Sequence, residues 1–245
     1  MFRKLQNLIV KALGKDDETP VSHEKLSTYY HQNRNKERYL IQIGAGAGDQ
    51  DNRANYHDGF SEIIKRLALD QKDRIVLVEP NPLNIDALKK CWEGNPKASI
   101  HQIGIVTKAL AGKPLPFYYT ELDAPCYQIA SFNPDHVLKH YKKLTLPDLT
   151  VIPVPTIDLE AFIASTTNGK HIALLALDIE GLDAEVILDT NFRDMNVDMV
   201  SFEHLHLGAQ KQAVADHFKK AGFGKIGGGI DHNGYDHLYR KKEKL

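Results

Sequence analysis

The chain has 245 residues, of which 42% are hydrophobic and 26% are charged. This composition is typical of a folded globular protein and excludes a disordered or collagen-like chain. The 31 lysines and arginines nearly balance the 32 aspartates and glutamates, so we expect no nucleic-acid partner. Two cysteines, Cys91 and Cys126, are too few for a disulfide framework, which favours reduced thiols and a cytoplasmic location.

The first 38 residues are predicted to be a lead-in to the main domain. Residues 1–14 place their apolar side chains at helical spacing, which predicts an amphipathic helix. They lack the long apolar run and the cleavage site of a signal peptide. Three roles stay open for residues 1–38: a lid, a dimer arm in a homo-oligomer, or an anchor that rests on a membrane surface through residues 1–14.

Residues 39–245 are predicted to be one α/β domain. Short apolar runs alternate with segments of helical periodicity, and this alternation indicates a mainly parallel sheet with helices on both faces. Near the end of the chain, Asn233-Gly234 predicts a turn between two antiparallel strands, 226–230 and 235–240. The earlier strands are predicted at 39–43, 74–78, 100–106, 172–177 and 199–202.

A proline-rich stretch at about 114–158 interrupts the alternation. We expect it to be an insertion that lies over the carboxyl ends of the strands, where a substrate lid would sit.

The first predicted strand runs into a glycine-rich segment that is expected to bind a cofactor. Glycines at alternate positions let the backbone turn sharply and approach a ligand, with free amides to hold a negative group. The alternative is a tight turn without a ligand. The G-x-G-x-x-G spacing of dinucleotide enzymes fails because Asp49 stands in place of the last glycine. The candidate residues are Gly44, Ala45, Gly46, Gly48 and Asp49.

The second strand ends in Glu79-Pro80-Asn81-Pro82. An acid at the tip of this strand can accept both ribose hydroxyls of a nucleoside that lies across the glycine segment. The alternative is a carboxylate near the start of the next helix, with Pro82 in its first turn. We assign Glu79, Pro80 and Asn81 to the cofactor, with Asn81 near the adenine.

The fourth and fifth strands also end in groups that can carry chemistry. Asp178 and Glu180 lie on one side of the fourth strand end, because side chains alternate with period two. Either could instead cap the next helix, a role for which Asp183 competes. His204 and His206 share a face after the fifth strand, as a base, as metal ligands or as part of a solvated strand end.

Together these blocks resemble the FkbM-type family of S-adenosylmethionine-dependent methyltransferases. The resemblance implies a class I methyltransferase fold, with a seven-stranded sheet whose last strand is antiparallel. It also implies S-adenosylmethionine as cofactor and transfer to an oxygen, often on sugars of polysaccharides or on secondary metabolites. The chain departs from the class I pattern at Gln42: many such enzymes have an acid at this position, two residues before the first glycine. The matching blocks are 43–49, 78–82, 154–159 and 177–181.

The function predicted from the sequence is therefore O-methylation of a hydroxyl on a small-molecule or glycan acceptor. Asp178 and His204 are the candidate catalytic bases, and Asp178 also faces the methionine end of the cofactor. A divalent metal near Asp178, Glu203, His204 and His206 stays open, with no residue assigned as a ligand. Two other functions also stay open: an NAD-type oxidoreductase, and a binding protein that has lost turnover.

Overall fold

The structure is a computed structural model, and it describes residues 23–31, 37–48, 58–67, 69–230 and 234–242. The predicted helix at residues 1–14 and the predicted cofactor residue Asp49 lie outside the described residues. None of the described helices is long and apolar enough to cross a bilayer.

Eleven strands are present in the described part of the chain, and seven of them form one central sheet. The strands are β1 (Arg38–Ile43), β2 (Arg74–Val78), β3 (Ala98–His101), β4 (Gly104–Val106), β5 (Leu115–Tyr119), β6 (Thr150–Val154), β7 (Thr156–Asp158), β8 (His171–Leu177), β9 (Val197–Glu203), β10 (Phe223–Gly228) and β11 (Asp236–Lys241).

The central sheet has the order β3-β2-β1-β8-β9-β11-β10. All neighbours in it are parallel except at β11, which runs antiparallel to both β9 and β10. The predicted class I architecture, with seven strands and an antiparallel last strand, is confirmed. The predicted hairpin at the end of the chain is present as β10 and β11, although residues 231–233 of its turn lie outside the described part.

The described residues include seven α-helices, and local sequence explains where several of them begin. The Asp58 side chain accepts hydrogen bonds from the amides of Phe60 and Ser61, and Asn81 accepts one from Leu83. These are N-cap contacts that satisfy amides left free at a helix start. The helices are α1 (His23–His31), α2 (Gly59–Arg66), α3 (Pro82–Cys91), α4 (Pro134–His140), α5 (Leu159–Thr167), α6 (Asp183–Asp189) and α7 (Lys211–Lys220).

Apolar side chains from alternate positions of the strands build a core on each face of the central sheet. On β1, Ile41 and Ile43 belong to one core and Leu40 to the other. Helices α5, α6 and α7 cover the first face, whereas α1, α2 and α3 cover the second. Both faces are covered, as the near-continuous apolar runs of β1, β2 and β8 predict.

The prediction of one strand over 100–106 is wrong. The chain leaves the edge of the central sheet after β3, and β4 pairs in parallel with β7 in a separate two-stranded sheet. The amide of Gly104 donates to the carbonyl of Pro155 at 2.8 Å. An apolar run reports burial but not the partner strand, so the sequence pattern could not show this change of sheet.

The predicted insertion contains an antiparallel hairpin, β5 with β6, and the short helix α4 between them. Phe117 and Phe132 from this segment meet edge to face, with ring centroids 4.8 Å apart. Their rings help to line a cavity at the carboxyl ends of the central strands. The insertion therefore positions side chains over the part of the sheet where predicted site residues converge.

Candidate functional site

A cavity of about 480 Å³ lies where β1, β2, β8 and β9 end. This volume is in the usual range for small-molecule and cofactor sites. In open α/β sheets, ligands bind at this edge. The floor comes from strand ends and includes Gly44, Glu79 and Asp178, whereas the roof comes from the insertion and includes Phe117 and Tyr127.

The glycine segment bends sharply at three positions of left-handed backbone, with φ values of 80° at Gly44, 53° at Gly46 and 68° at Gly48. A Cβ atom on Gly44 would lie 1.7 Å from the carbonyl oxygen of Asp178, so β1 and β8 can approach here only through glycine. A Cβ atom on Gly48 would lie 2.8 Å from the sulfur of Cys91. Gly44 and Gly46 line the cavity. Gly48 instead packs on α3, and Ala45 is buried in the core.

Glu79 joins the second strand end to the glycine segment. Its Oε2 accepts a hydrogen bond from the Gly46 amide at 2.7 Å, and its Oε1 accepts one from the Asn81 amide at 2.8 Å. The residue is 4% exposed, and burial raises the pKa of its carboxyl to about 7. Each carboxylate oxygen has two acceptor positions, so Glu79 keeps the capacity to accept from a ligand hydroxyl.

The two residues after Glu79 have different roles. Pro80 lines the cavity, whereas Asn81 is outside the lining residues and caps α3. Asn84, one turn further along α3, lines the cavity and was not predicted. Gln42 also lines it, and its Nε2 donates to Asp58 at 2.9 Å. Its position two residues before Gly44 was the signal in the sequence.

Four carboxyl groups surround the ends of β8 and β9: Asp178, Glu180, Asp183 and Glu203. Burial raises the pKa of each one, and repulsion from neighbouring carboxylates raises the pKa of all four further. Asp178 is exposed and lines the cavity. Like charges this close repel one another, so the four carboxyls do not all ionise together.

The structure separates the two histidines that follow β9. His204 is 7% exposed and stacks on His237, with ring centroids 3.9 Å apart. It is outside the lining residues, so the geometry does not bring this candidate base to the cavity. His206 does line the cavity, with its Nε2 3.6 Å from Glu203 Oε1. The strand ends at Glu203, and period-two alternation cannot be extended past that residue.

Two histidines of α4 lie near the acidic cluster, and sequence reasoning missed them: His140 lines the cavity, whereas His136 is buried and outside the lining residues. His136 Nε2 lies 2.8 Å from Glu180 Oε2, and the Lys139 ammonium lies 3.0 Å from His206 Nδ1. Burial lowers the pKa of His136 and of His206 to about 4, and it also lowers that of His140. The four-residue spacing of His136 and His140 was the available signal, because it places both on one helix face.

Three buried oxygen atoms in the cavity lining have no hydrogen-bond partner among the described residues. Two of them are amide oxygens, which only accept: Gln42 Oε1 and Asn84 Oδ1; the third is Glu203 Oε2. A buried acceptor without a donor costs free energy, so the cavity suits a ligand that brings N–H and O–H groups. S-adenosylmethionine carries such donors in its ribose hydroxyls, its amino-acid ammonium and its adenine amine. The residues present therefore fit this cofactor.

In a comparison with protein families, the model described as "Methyltransferase FkbM domain" matches residues 42–225. Comparison with curated proteins finds no match.

Solved structures of low sequence identity also resemble the chain. A putative RNA methyltransferase from Pyrococcus horikoshii is 9% identical, with a TM-score of 0.40, over 90% of this chain and 84% of that one. Aeropyrum pernix fibrillarin with natively bound S-adenosyl-L-methionine is 10% identical, with a TM-score of 0.39, over 97% of this chain and 73% of that one. The class I architecture itself is seen in the order and directions of the strands in the central sheet.

Proposed function

The chain belongs to the FkbM family of S-adenosylmethionine-dependent methyltransferases, and we propose that it methylates a hydroxyl oxygen of a sugar or of a sugar-like acceptor. The observation that carries the proposal is the cavity itself, in which carboxylates from the strand ends face aromatic rings of the insertion. Carboxylates accept hydrogen bonds from hydroxyl groups, and aromatic faces pack against the C–H groups of a sugar ring.

The donor half of the cavity lies along β1 and β2 in this proposal. S-adenosylmethionine supplies the methyl group as an electrophile on a positively charged sulfur. Glu79 would accept hydrogen bonds from the ribose hydroxyls, and Gln42 Oε1 would accept one from the amino-acid ammonium. The backbone at Gly44 and Gly46 offers a surface without side chains against which the cofactor can lie.

The acceptor half lies beneath the insertion, with Asp178 between the two halves. Its amide donates to the Ile43 carbonyl at 2.9 Å, which holds β8 beside the glycine segment. The Asp178 carboxylate can orient the acceptor hydroxyl and take its proton as the new carbon–oxygen bond forms and the carbon–sulfur bond breaks. Alignment of the reacting groups can contribute about 7 to 11 kcal/mol to lowering the barrier.

A transfer assay tests the proposal. The protein is incubated with S-adenosylmethionine and a panel of acceptors that bear hydroxyl, amino or thiol groups, and mass spectrometry detects both the methylated acceptor and S-adenosylhomocysteine. We expect methylation of hydroxyl acceptors, reduced about 10²- to 10⁴-fold in Asp178→Asn. Asp86→Asn, on the exposed face of α3, is the matched control with unchanged activity.

Two results would contradict the proposal. Transfer to nitrogen or sulfur acceptors alone would show that the acceptor class is wrong. Cofactor binding without transfer to any acceptor would favour a binding protein that has lost turnover.

A further inference from the structure

We propose that His136, His140 and His206, together with Glu180, bind one divalent transition-metal ion at the acceptor end of the cavity. One nitrogen from each of the three imidazoles lies within 4.8 Å of the others. Nitrogen ligands at 2.0–2.1 Å from zinc lie about 3.4 Å apart in a tetrahedron, so side-chain movements on the order of 1 Å would bring them to an ion. Glu180 already contacts His136 at 2.8 Å.

The backbone explains why His136 presents one particular nitrogen to this place. A Cβ atom on Gly181 would lie 2.5 Å from His136 Nδ1, so the Nδ1 side of the ring packs against the loop after β8. The other nitrogen, Nε2, points to Glu180. Glu180 itself has a left-handed backbone with φ of 49°, and its carbonyl accepts a hydrogen bond from Ser131 Oγ at 2.6 Å. The loop and the insertion thus fix a carboxylate against an imidazole.

The three imidazoles come from two parts of the chain that the fold brings together. His136 and His140 are four residues apart on α4, the spacing by which one helix face offers two metal ligands. The His206 ring lies 5.0 Å from that of His136 and 5.6 Å from that of His140. A second group consists of Glu180, Glu203 and His206, which each have one ligand atom within 4.8 Å of those of the other two. The ion would therefore have carboxylate oxygens on its cavity side.

Ligand chemistry selects the kind of ion. Imidazole nitrogen suits Zn²⁺, Co²⁺ and Ni²⁺, whereas Mg²⁺ prefers a full set of oxygen ligands. Lys139 competes with the ion, because its ammonium lies 3.0 Å from His206 Nδ1. Its side chain is exposed and long enough to move into solvent. The ion would bind the acceptor hydroxyl oxygen and make its proton easier to remove, a role that rests on the proposed function.

Calorimetric titration tests the site directly, without methyl transfer. The full chain is freed of metal with a chelator and titrated with Zn²⁺ and, separately, with Mg²⁺. We expect one Zn²⁺ per chain, binding weakened at least about 10- to 100-fold in His140→Ala and in His206→Ala, and little binding of Mg²⁺. Lys139→Met should bind Zn²⁺ more tightly than the wild type. With Co²⁺, the wild type should show the more intense visible absorption of a four-coordinate site.

Controls keep the result interpretable. His101→Gln, on β3 and outside the cavity, should bind Zn²⁺ as the wild type does. Circular dichroism of each variant checks that it is folded. The absence of Zn²⁺ binding would overturn the proposal, as would Zn²⁺ binding that both histidine variants leave unchanged. Affinity for S-adenosylhomocysteine is measured on the same metal-free protein, so failure of the cofactor site is seen separately from failure of the metal site.

Discussion

Gly44 and Gly94 have nearly the same backbone, with φ values of 80° and 77°, but very different surroundings. A Cβ atom on Gly44 would lie 1.7 Å from a backbone oxygen, whereas one on Gly94 would meet nothing within 4 Å. We expect Gly94→Ala to cost about 1 to 2 kcal/mol of unfolding free energy, the strain of left-handed backbone alone. Gly44→Ala should cost more, because β1 and β8 must also separate.

Urea denaturation of the two glycine variants measures this difference. Equal losses in unfolding free energy would show that the approach of β1 to β8 is not what requires glycine at residue 44.

The carboxyl of Glu79 should make cofactor binding depend on pH. Burial raises its pKa to about 7, so the carboxyl is mostly neutral at pH 6 and mostly ionised at pH 8. The ionised form accepts hydrogen bonds better, and the apparent dissociation constant for S-adenosylhomocysteine should fall about tenfold over this interval. In the unliganded protein the same shift acts against stability: the free energy of unfolding decreases as pH rises from about 4.5 to 7.

Calorimetry at pH 6, 7 and 8 checks the Glu79 prediction, with Glu79→Gln as the comparison. The neighbouring carboxyls titrate in both proteins, so the difference between the two pH profiles isolates Glu79. A Glu79→Gln profile with the same slope as the wild type would contradict the assignment to the ribose.

The same residues show how far the sequence predicts a site. Gly44, Glu79 and Asp178 could be predicted from the sequence, because each follows a strongly apolar strand and parallel strands end at one edge of the sheet. The contact of His136 with Glu180 could not be predicted, because the two residues are 44 positions apart and α4 lies in a stretch without clear periodicity. His204 was misplaced because alternation was extended beyond the end of β9.

At the scale of elements, two ion pairs lie at the start of β1, one buried and one exposed. Arg38 and Asp73 are both fully buried and 3.0 Å apart, and the Tyr30 hydroxyl of α1 also donates to Asp73. Lys170 and Glu37 form an exposed pair nearby, 2.6 Å apart. Removal of one partner leaves a buried charge uncompensated, so Arg38→Met should lower the free energy of unfolding by about 3 to 5 kcal/mol.

The exposed pair provides the matched control for Arg38→Met. Lys170→Met should leave the denaturation midpoint unchanged within error, because solvent screens that pair. Amide exchange should show the segment His23–His31 opening more readily in Arg38→Met, since α1 packs through Tyr30. A larger loss for Lys170→Met than for Arg38→Met would mean that burial does not set the strength of these pairs.

Strands were predicted best where their own residues were enough to identify them. The apolar runs of β1, β2 and β8 identified those strands directly, and Asn233-Gly234 identified the antiparallel hairpin. The run at 100–106 misled because β3 and β4 are consecutive in sequence but pair in different sheets. That difference depends on β7, which lies about fifty residues away and whose pairing leaves no local pattern.

At the scale of the whole molecule, the cavity exists only when four separate strands end together. Ligand binding at such a site therefore stabilises the entire fold. S-adenosylhomocysteine at about 100 times its dissociation constant should add about 2.7 kcal/mol to the free energy of unfolding. For a chain of this length the increase corresponds to a rise of about 5 to 10 °C in melting temperature.

Thermal denaturation with S-adenosylhomocysteine and with NAD in parallel measures this coupling. NAD should give no shift, because Asp49 interrupts the glycine spacing that a pyrophosphate requires. Glu79→Ala should reduce the shift from S-adenosylhomocysteine by lowering its affinity. A comparable shift with NAD would instead favour the NAD-type function, because the cavity would then bind a dinucleotide as well as it binds S-adenosylhomocysteine.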